Sequence, residues 1–353
     1  MHIAVILPRW VGDAVMATPL LRALKGRYGE AARITGVMRP VVADLLAGTG
    51  WLDGHVFYDR HGRNPAHHWR AAAGRLRADR ADVVLVLPNS LSSAALAFAG
   101  GGRRRVGLAG HFRRLLLTDV VHAGRDEPVV PPPVAFMAVG AAIGVPSGPL
   151  DVELVATADD LARGDEVLAG LFPDRAGPLV VLNDNSSNGS ARAWGVERHA
   201  ALARWLADRV PDVRILVHCG PADRQPARAI VERAATAAVR GLGDVAELPL
   251  GLSKAIYARA AAAVSSDSGP RHIAAGFGVP TVALIGPTDP RIGRSDPARC
   301  VEIRLALACS PCDRAECPLV HHDCLRLITV EEVGVAVEAL LGHRAIVPGV
   351  RAG

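Results

Sequence analysis

The first 90 residues alternate between short, continuously apolar runs and longer segments with helical periodicity. The apolar runs lie at residues 2–7, 32–38, 55–58 and 82–87, and such runs are typical of strands buried on both faces of a parallel sheet. The apolar spacing over residues 69–78 instead predicts an amphipathic helix. Strands and helices that alternate in this way predict βαβ units.

Proline and glycine cluster in the middle of the chain, at residues 131–133 and 146–149, with helical spacing over 134–143 between them. We place a domain boundary near residue 150. Beyond it, apolar runs recur at residues 179–182, 213–218, 262–265 and 281–285. The sequence thus predicts an α/β fold of two doubly wound, Rossmann-like domains. They span residues 1–150 and 151–329, and a C-terminal helix with a frayed tail and no further strand spans residues 330–353.

The composition supports two ordinary globular cores. The chain has 353 residues, of which 50% are hydrophobic and 21% charged, enough for two cores of common size. The net charge of +5 comes almost wholly from arginine, since Lys25 and Lys254 are the only lysines. This balance favours an anionic substrate, but the dense basic stripe and the motifs of nucleic-acid-binding proteins are absent from the sequence. We expect no nucleic-acid partner.

The N-terminal apolar stretch does not match an export signal, because it lacks a basic start and Asp13 interrupts it. No stretch of the sequence approaches the roughly 20 apolar residues that span a bilayer. We therefore expect a cytoplasmic protein, with room for peripheral contact at the inner face of the membrane.

Ligands of open α/β sheets bind beyond the carboxyl ends of strands, where loops meet helix N-termini. The loop after the first strand holds Trp10, Gly12 and Asp13. Gly12 permits a tight turn, and the Asp13 carboxylate is suited to take a proton from an acceptor hydroxyl as a general base. The alternative is that Asp13 only caps a helix that begins there.

Two further loops have the composition of an anion site. Residues 183–195 combine the hydroxyls of Ser186 and Ser187 with the guanidinium of Arg192, which would suit a diphosphate; a solvated turn is the alternative. Residues 265–272 form a strand-to-helix turn whose helix start can receive a phosphate. There Asp267 would contact sugar hydroxyls, and His272 is either a ligand contact or a core histidine.

Several enzyme classes lose their usual support. No GxGxxG follows either first strand, and neither GxxxxGK[ST] nor GxSxG occurs. Dinucleotide oxidoreductases, P-loop NTPases and α/β-hydrolases are therefore disfavoured. A periplasmic sugar-binding protein would share the two-lobed architecture, but it would need the export signal that we do not find.

Four stretches together resemble the family 9 glycosyltransferases, the ADP-heptose:lipopolysaccharide heptosyltransferases, and most closely the heptosyltransferase II branch. They are PRWVGDAVM at 8–16, SARAW at 190–194, DSG with HIAA and GPTDP within 267–290, and the cysteine-rich segment 309–324. They follow the family's order over nearly the whole chain, which is far more specific than any one motif.

The resemblance implies a GT-B fold whose two Rossmann-like domains face a central cleft, with the acceptor on the N-terminal domain and ADP-heptose on the C-terminal one. It implies inversion by direct displacement with Asp13 as base, and needs no metal or other cofactor. Arg192 matches a family lysine that meets the departing phosphates, and Gly195 replaces a proline. The donor residues so indicated are Ser186, Ser187, Arg192, Asp223, Asp267, Ser268, Gly269 and His272, with the Asp223 loop one residue shorter than the family's.

For the acceptor, arginines cluster at residues 103–105 and at Arg113 and Arg114. They suit an anionic inner-core lipopolysaccharide, and we expect Trp10, Gly12, Arg113 and Arg114 to bind it. A solvated basic surface is the alternative interpretation. Two further alternatives keep the fold but use a small-metabolite acceptor or another sugar nucleotide.

The cysteine-rich segment holds Cys309, Cys312, Cys317 and Cys324 beside two histidines. The ligands would suffice for structural zinc, but the spacing fits neither the ribbon nor the finger pattern. Metal-bound, disulfide-bonded and free thiols all stay open, and we expect a structural loop away from the chemistry. We also expect a monomer.

Overall fold

The computed structural model describes residues 1–110, 112–124, 129–184, 189–293, 298–342 and 350–352. The chain divides into two compact units, Met1–Val155 and Ala156–Gly353. Each unit contains one sheet, and the strand pairings between described residues are parallel. In the described part of the chain, no helix is long and apolar enough to cross a membrane.

The first unit is a six-stranded sheet in the order β3-β2-β1-β4-β5-β6, which is the order of a doubly wound dinucleotide-binding fold. Its strands are β1 (His2–Ile6), β2 (Arg33–Met38), β3 (Gly54–Phe57), β4 (Val83–Val86), β5 (Arg104–Leu108) and β6 (Asp119–Val121). Its helices are α1 (Val11–Met16), α2 (Thr18–Tyr28), α3 (Pro40–Leu46), α4 (Trp69–Asp79), α5 (Leu91–Ala99) and α6 (Pro132–Ala141).

The second unit repeats this order and adds a strand, giving β13-β12-β11-β10-β7-β8-β9. Its strands are β7 (Leu179–Asn183), β8 (Arg214–Val217), β9 (Val239–Gly241), β10 (Ala262–Ser266), β11 (Thr281–Ile285), β12 (Cys300–Ala306) and β13 (Val350–Ala352). Its helices are α7 (Ala158–Leu171), α8 (Val196–Arg209), α9 (Arg224–Ala234), α10 (Leu250–Arg259), α11 (Gly269–Gly276), α12 (Asp323–Arg326) and α13 (Val330–Leu341).

The continuous apolar runs are the central strands. Every residue of β4, β7 and β10 is buried, as expected for strands covered by helices on both faces. Strands β5, β6, β9 and β12 were not predicted, because charged residues interrupt their apolar runs. The expectation that no strand follows the last helix is wrong, since β13 pairs with β12; residues 343–349 of the predicted frayed tail lie outside the described ranges.

A buried ion pair joins α7 to α10 in the second unit. Lys254 of α10 is fully buried, and its Nζ lies 3.0 Å from Oδ2 of Asp160. The same carboxylate accepts from the backbone of Thr157 and completes the capping box of α7. A side chain at Gly251 would collide with Asp160, so a glycine is needed for this close approach. Burial alone would raise the pKa of Asp160, but the Thr157 amide and Lys254 outweigh it and lower the pKa below 3.8.

We predict that Asp160→Asn lowers the free energy of unfolding by about 2 to 4 kcal/mol at neutral pH, because the buried ammonium loses its carboxylate. Asp165→Asn is the matched control: Asp165 also lies on α7 and pairs with α10, through Arg259, but both partners are exposed, so the loss should stay below about 1 kcal/mol. Urea titrations measure both values.

The pH dependence gives a second readout of the same pair. Because the pKa of Asp160 is lowered in the folded state, its contribution is complete above roughly pH 5 and is lost as the pH falls through the folded pKa. The difference in the free energy of unfolding between wild type and Asp160→Asn should therefore disappear only at acidic pH. If Asp160→Asn and Asp165→Asn lowered the free energy of unfolding equally at pH 7, the buried pair would not stabilise the fold more than the exposed one.

Candidate active site

Each sheet has one point where the chain order reverses, and such points open a crevice at the carboxyl ends of the strands. In the first unit this point lies between β1 and β4, and in the second between β7 and β10. The three loops singled out in the sequence follow β1, β7 and β10. The topology therefore brings the second and third loops to one crevice and gives the first loop a crevice in its own unit.

After β1, helix α1 begins at Val11 with Trp10 as its N-cap. Asp13 lies in the first turn and is half-buried, so the alternative in which Asp13 caps the helix is wrong: the helix starts two residues earlier. Gly12 is buried. Trp10 is 45% exposed, and the Arg9 guanidinium lies 5.2 Å from the centre of its ring, within the range of a cation–π contact.

A cavity of about 260 Å³ opens at the carboxyl ends of β1 to β4. It is lined by Ile6, Leu7, Pro8, Arg9, Met38, Arg39, Tyr58, Asp59, Arg60, His61, Pro88, Ser90, Ser92 and Ser93. Three guanidinium groups and one carboxylate give this lining a net positive charge when His61 is neutral. The Nε of Arg39 donates to Asp59 at 3.1 Å, so the excess positive charge is that of Arg9 and Arg60. We call this the basic cavity.

Arg39 also fixes the charge state of the one acid in the basic cavity. Burial would raise the pKa of Asp59, but the hydrogen bond and charge of Arg39 outweigh it, aided by the His61 amide and by Arg9, so the pKa falls below 3.8. Asp59 is thus ionised at neutral pH. It balances Arg39 and does not compete as a proton donor.

The predicted acceptor arginines do not share one surface. Arg113 is fully buried beneath the sheet edge, where its Nη1 donates to the carbonyl oxygen of Pro88 at 2.5 Å. Burial lowers its pKa, and its Nε has no partner among the described residues. Arg113 therefore does not lie at the surface where the expected contact with an acceptor would form. Its side chain supports the fold from inside the first unit. Arg114, the next residue, is exposed.

Arg104 and Arg105 begin β5, at the amino edge of the sheet and away from the crevice. Arg104 forms a bidentate pair with Asp119 on β6, and Arg105 donates to the carbonyl oxygens of Gly102 and Leu116. These two arginines tie strands and turns together. The sequence cluster was therefore a poor guide to the acceptor, and the arginines of the basic cavity were missed because they follow three different strands.

In the second unit, two interactions hold the loop that carries Arg192. The carboxylate of Asp184 accepts from the backbone amides of Trp194 and Gly195 at 2.8 and 3.1 Å. The Trp194 ring is buried, and its indole donates to the carbonyl oxygen of Ile328 at 3.1 Å. Gly195 has a φ of +106°, which the proline expected from the resemblance could not adopt. The turn into α8 therefore needs a glycine here.

Arg192 connects this loop to the next one. Its Nη1 donates to the carbonyl oxygen of Asp267 at 3.1 Å, and its Nε is buried without a partner among the described residues. Asp267 directly precedes Ser268, the N-cap of α11, whose side chain makes no capping hydrogen bond in the described structure. A guanidinium and the start of a helix therefore lie together, an arrangement that favours a phosphate.

A buried charge cluster fixes Asp267 itself. Arg271, one helical turn on, donates 2.8 Å hydrogen bonds to Asp267 and to Glu302 of β12. Burial would raise the pKa of Asp267, but the charge of Arg271 outweighs it and the pKa is lowered. Burial and Arg271 together lower the pKa of His272 to about 4, so this histidine is neutral at pH 7. Sequence reasoning missed Arg271, although its spacing of four from Asp267 was available.

The remaining predicted donor residues are placed only in part. Gly269 is the first residue of α11, beside Ser268. Asp223 is half-buried in a short turn that follows β8, the strand next to β7. Ser186 and Ser187 lie outside the described residues.

The cysteine-rich segment was expected to lie away from the predicted site, but it lies against the Arg192 loop. The Ala191 amide donates to the Ala315 carbonyl oxygen at 3.1 Å, and a side chain at Gly189 would collide with the same carbonyl. Four free cysteines of the segment, Cys309, Cys312, Cys317 and Cys324, line one small cavity with His321.

The thiols of this segment influence one another. Burial, and then the three neighbouring thiols, raise the pKa of Cys324 to about 11, so it is protonated at neutral pH. Across the described ranges, no three histidine, cysteine, aspartate or glutamate side chains are arranged to hold a metal ion.

The chain matches the sequence model of glycosyltransferase family 9 (heptosyltransferase) over residues 69–322. It is 28% identical to lipopolysaccharide heptosyltransferase 2 of Escherichia coli, with 97% of this chain and 99% of that protein covered. Identity to the Salmonella typhimurium enzyme of the same name is 27%, with 98% and 100% covered.

Solved structures agree with the sequence comparison. The structure of E. coli ADP-heptose lps heptosyltransferase II superposes with a TM-score of 0.78 at 26% identity, covering 97% of this chain and 99% of that one. A family 9 glycosyl transferase from Veillonella parvula has a TM-score of 0.81 at 22% identity, with 97% of each chain covered. The predicted fold class, two Rossmann-like domains of the GT-B type, is confirmed. The chain belongs to glycosyltransferase family 9.

Proposed function

We propose that the chain is an inverting glycosyltransferase that moves heptose from ADP-L-glycero-β-D-manno-heptose to a hydroxyl of an anionic inner-core lipopolysaccharide acceptor. The observation that carries the proposal is the convergence of Arg192 and Asp267 at the start of α11. Relatives named lipopolysaccharide heptosyltransferase 2, similar over nearly the whole chain, support the acceptor class. The similar E. coli structure named ADP-heptose lps heptosyltransferase II supports the donor.

The second unit supplies the donor site in this proposal. The diphosphate of ADP-heptose would lie between the Arg192 guanidinium and the amides of Ser268 and Gly269, where the helix dipole also favours negative charge. Asp267, kept ionised by Arg271, would accept hydrogen bonds from sugar hydroxyls. His272 is neutral and would contribute hydrogen bonding without charge. Asp223, in the turn after β8, would face the ribose, with Ser186 and Ser187 as further donor contacts.

The reaction then requires one base and one cation. Asp13 would take the proton of the acceptor hydroxyl while its oxygen attacks the anomeric carbon, and the bond from that carbon to the diphosphate breaks. ADP leaves from the opposite face, so the configuration inverts. The negative charge that grows on the departing phosphate meets Arg192, which gives stabilisation that increases towards the transition state. The step calls for no metal ion or further cofactor.

The first unit supplies the acceptor site. The basic cavity offers guanidinium groups of Arg9 and Arg60 and serine hydroxyls at the same sheet edge as Asp13. Arginines bind phosphate and carboxylate groups through paired hydrogen bonds, and a neutral ligand would leave their charges without compensation. Trp10 and Gly12, at the start of α1, would contact the acceptor as well, and exposed Arg114 is a further candidate.

We also propose that the enzyme works as a monomer at the cytoplasmic face of the inner membrane, in peripheral contact with it. All residues assigned to the two sites come from one chain, so a second copy is not needed. A glycolipid acceptor would lie in the membrane, and the enzyme must approach that surface to reach it.

The function is tested by incubating purified protein with ADP-heptose and either heptosylated Kdo-lipid A or a panel of neutral small acceptors, with products identified by mass. We predict addition of one heptose to the anionic glycolipid, with an inverted anomeric centre. Transfer only to neutral acceptors would refute the glycolipid and leave a glycosyltransferase. Absence of transfer from ADP-heptose, with transfer from another sugar nucleotide, would refute the donor.

In the same assay we expect Asp13→Asn to reduce transfer by about 10² or more, the usual effect of losing a general base. Thermal unfolding and ADP affinity should stay near wild type, because the donor residues lie in the other unit. Asp44→Asn, an exposed aspartate on α3, is the matched control and should keep full activity. Near-normal turnover in Asp13→Asn would exclude Asp13 as the base.

For the donor site, we expect Arg192→Ala to weaken ADP-heptose binding by about tenfold or more in calorimetry and to lower turnover at saturating donor as well. Asp267→Ala and His272→Ala should act mainly on donor affinity. Arg198→Ala provides the control, since Arg198 lies in the first turn of α8 and donates to the Trp194 carbonyl oxygen. If Arg192→Ala and Asp267→Ala both bind the donor normally, the site lies elsewhere.

A further inference from the structure

Two large apolar side chains stand in solvent beside the carboxyl edge of the first sheet. Phe112 is 96% exposed and Leu115 is 91% exposed, the highest values for large apolar side chains in the described parts of the chain. They flank Arg113 and Arg114 in a short turn between β5 and β6. We call Phe112 and Leu115 the apolar tip. An isolated exposed apolar residue is ordinary, but a protruding pair next to an arginine indicates a binding surface.

The backbone of this turn is strained at its most exposed residue. Phe112 has a φ of +57°, a left-handed conformation that is unfavourable for residues other than glycine and that persists only when the surrounding structure imposes it. The ring gains no burial in return. Non-glycine residues in this region cluster at functional sites, which directs attention to a ligand that the ring would contact.

Arg113 gives the tip a rigid base. Its buried guanidinium donates to the carbonyl oxygen of Pro88 and lies at the limit of hydrogen bonding, 3.5 Å, from that of Ser90. A side chain at Gly107 would come within 2.5 Å of the same guanidinium, so the glycine makes the space for it. Buried Arg113, which contributes no charge to the exposed surface, thus fixes the tip to the sheet.

The same contacts join the tip to the basic cavity. Pro88 and Ser90, whose carbonyl oxygens face Arg113, also line that cavity. Leu91, the next residue, is half exposed. The apolar tip and the basic cavity are therefore joined through Pro88 and Ser90. A ligand with both an anionic sugar and an apolar part would contact both surfaces.

We infer that the apolar tip inserts into the interfacial layer of an anionic phospholipid bilayer, with Arg114 contacting lipid phosphates. Few, protruding apolar side chains with an adjacent cation match such a layer, since burial of the apolar side chains and attraction to anionic headgroups add together. A protein partner is less well matched, because a specific interface buries about 800 Å² on each side and the tip offers two side chains. The inference rests on the proposed glycolipid acceptor, which lies in such a bilayer.

The test measures sedimentation of the full chain with vesicles of phosphatidylethanolamine and phosphatidylglycerol. Phe112→Ser combined with Leu115→Ser should weaken binding by about tenfold or more. Leu327→Ser combined with Val335→Ser removes two exposed apolar side chains from the second unit and should leave vesicle binding unchanged. Neutral phosphatidylcholine vesicles should bind wild type more weakly than the anionic ones. Transfer to a deacylated, soluble acceptor should stay within about twofold in the tip variant, while transfer to a vesicle-embedded acceptor falls about tenfold.

The outcomes separate this inference from the proposed function. Vesicle binding that is unchanged in the tip variant would overturn the inference, as would wild-type self-association that the tip variant abolishes without any vesicle binding. Equal binding to neutral and anionic vesicles would overturn the part given to Arg114. If vesicle binding depends on the tip but no acceptor is glycosylated, the inference is supported and the proposed function fails.

Discussion

The hydrogen bond from Arg192 to the carbonyl oxygen of Asp267 joins two loops that come from distant parts of the sequence. Three further sets of contacts hold the two loops in place. Asp184 and Trp194 hold the Arg192 side, Arg271 and Glu302 hold the Asp267 side, and the cysteine-rich segment supports the loop at Ala191 from behind. The four side chains of Asp184, Trp194, Arg271 and Glu302 are buried or half-buried, so the cation reaches the start of α11 already oriented. Such preorganisation is what stabilises a departing diphosphate without rearrangement during the reaction.

The second unit repeats the strand order of the first and adds β13, and the candidate functional residues of both units lie mainly in the loops at the carboxyl ends of the strands. In the second unit the crevice residues are held by buried ion pairs and present a helix start and one guanidinium, which suits a fixed diphosphate. In the first unit, Arg9 and Arg60 line an open cavity and Asp13 lies nearby in a helical turn, which suits a larger and more varied anionic ligand. Function in this fold resides in the loops, and the proposed division into a donor and an acceptor site rests on the charges of those loops.

The sequence predicted the central strands, because short continuous apolar runs such as 179–182 and 281–285, bounded by turn residues, are typical of strands covered on both faces. Strands such as β5 escaped prediction, since arginines at their start belong to the sheet edge and only the pairing reveals this. Arg113 shows how far site residues can be predicted from the sequence. An arginine beside other arginines looks like a surface charge, and only the fold shows that its side chain lies beneath the Pro88 carbonyl. The position of the cysteine-rich segment behind Arg192 rests on contacts more than 100 residues apart, which spacing along the chain does not encode.

We propose that the second unit alone binds the nucleotide diphosphate, between Arg192 and the start of α11. A crystal structure of the chain with ADP would decide this. We expect phosphate density within hydrogen-bond distance of the Arg192 guanidinium and of the backbone amides of Ser268 and Gly269. Density for the diphosphate in the basic cavity of the first unit, with Arg192 still bonded only to Asp267, would exclude this donor site.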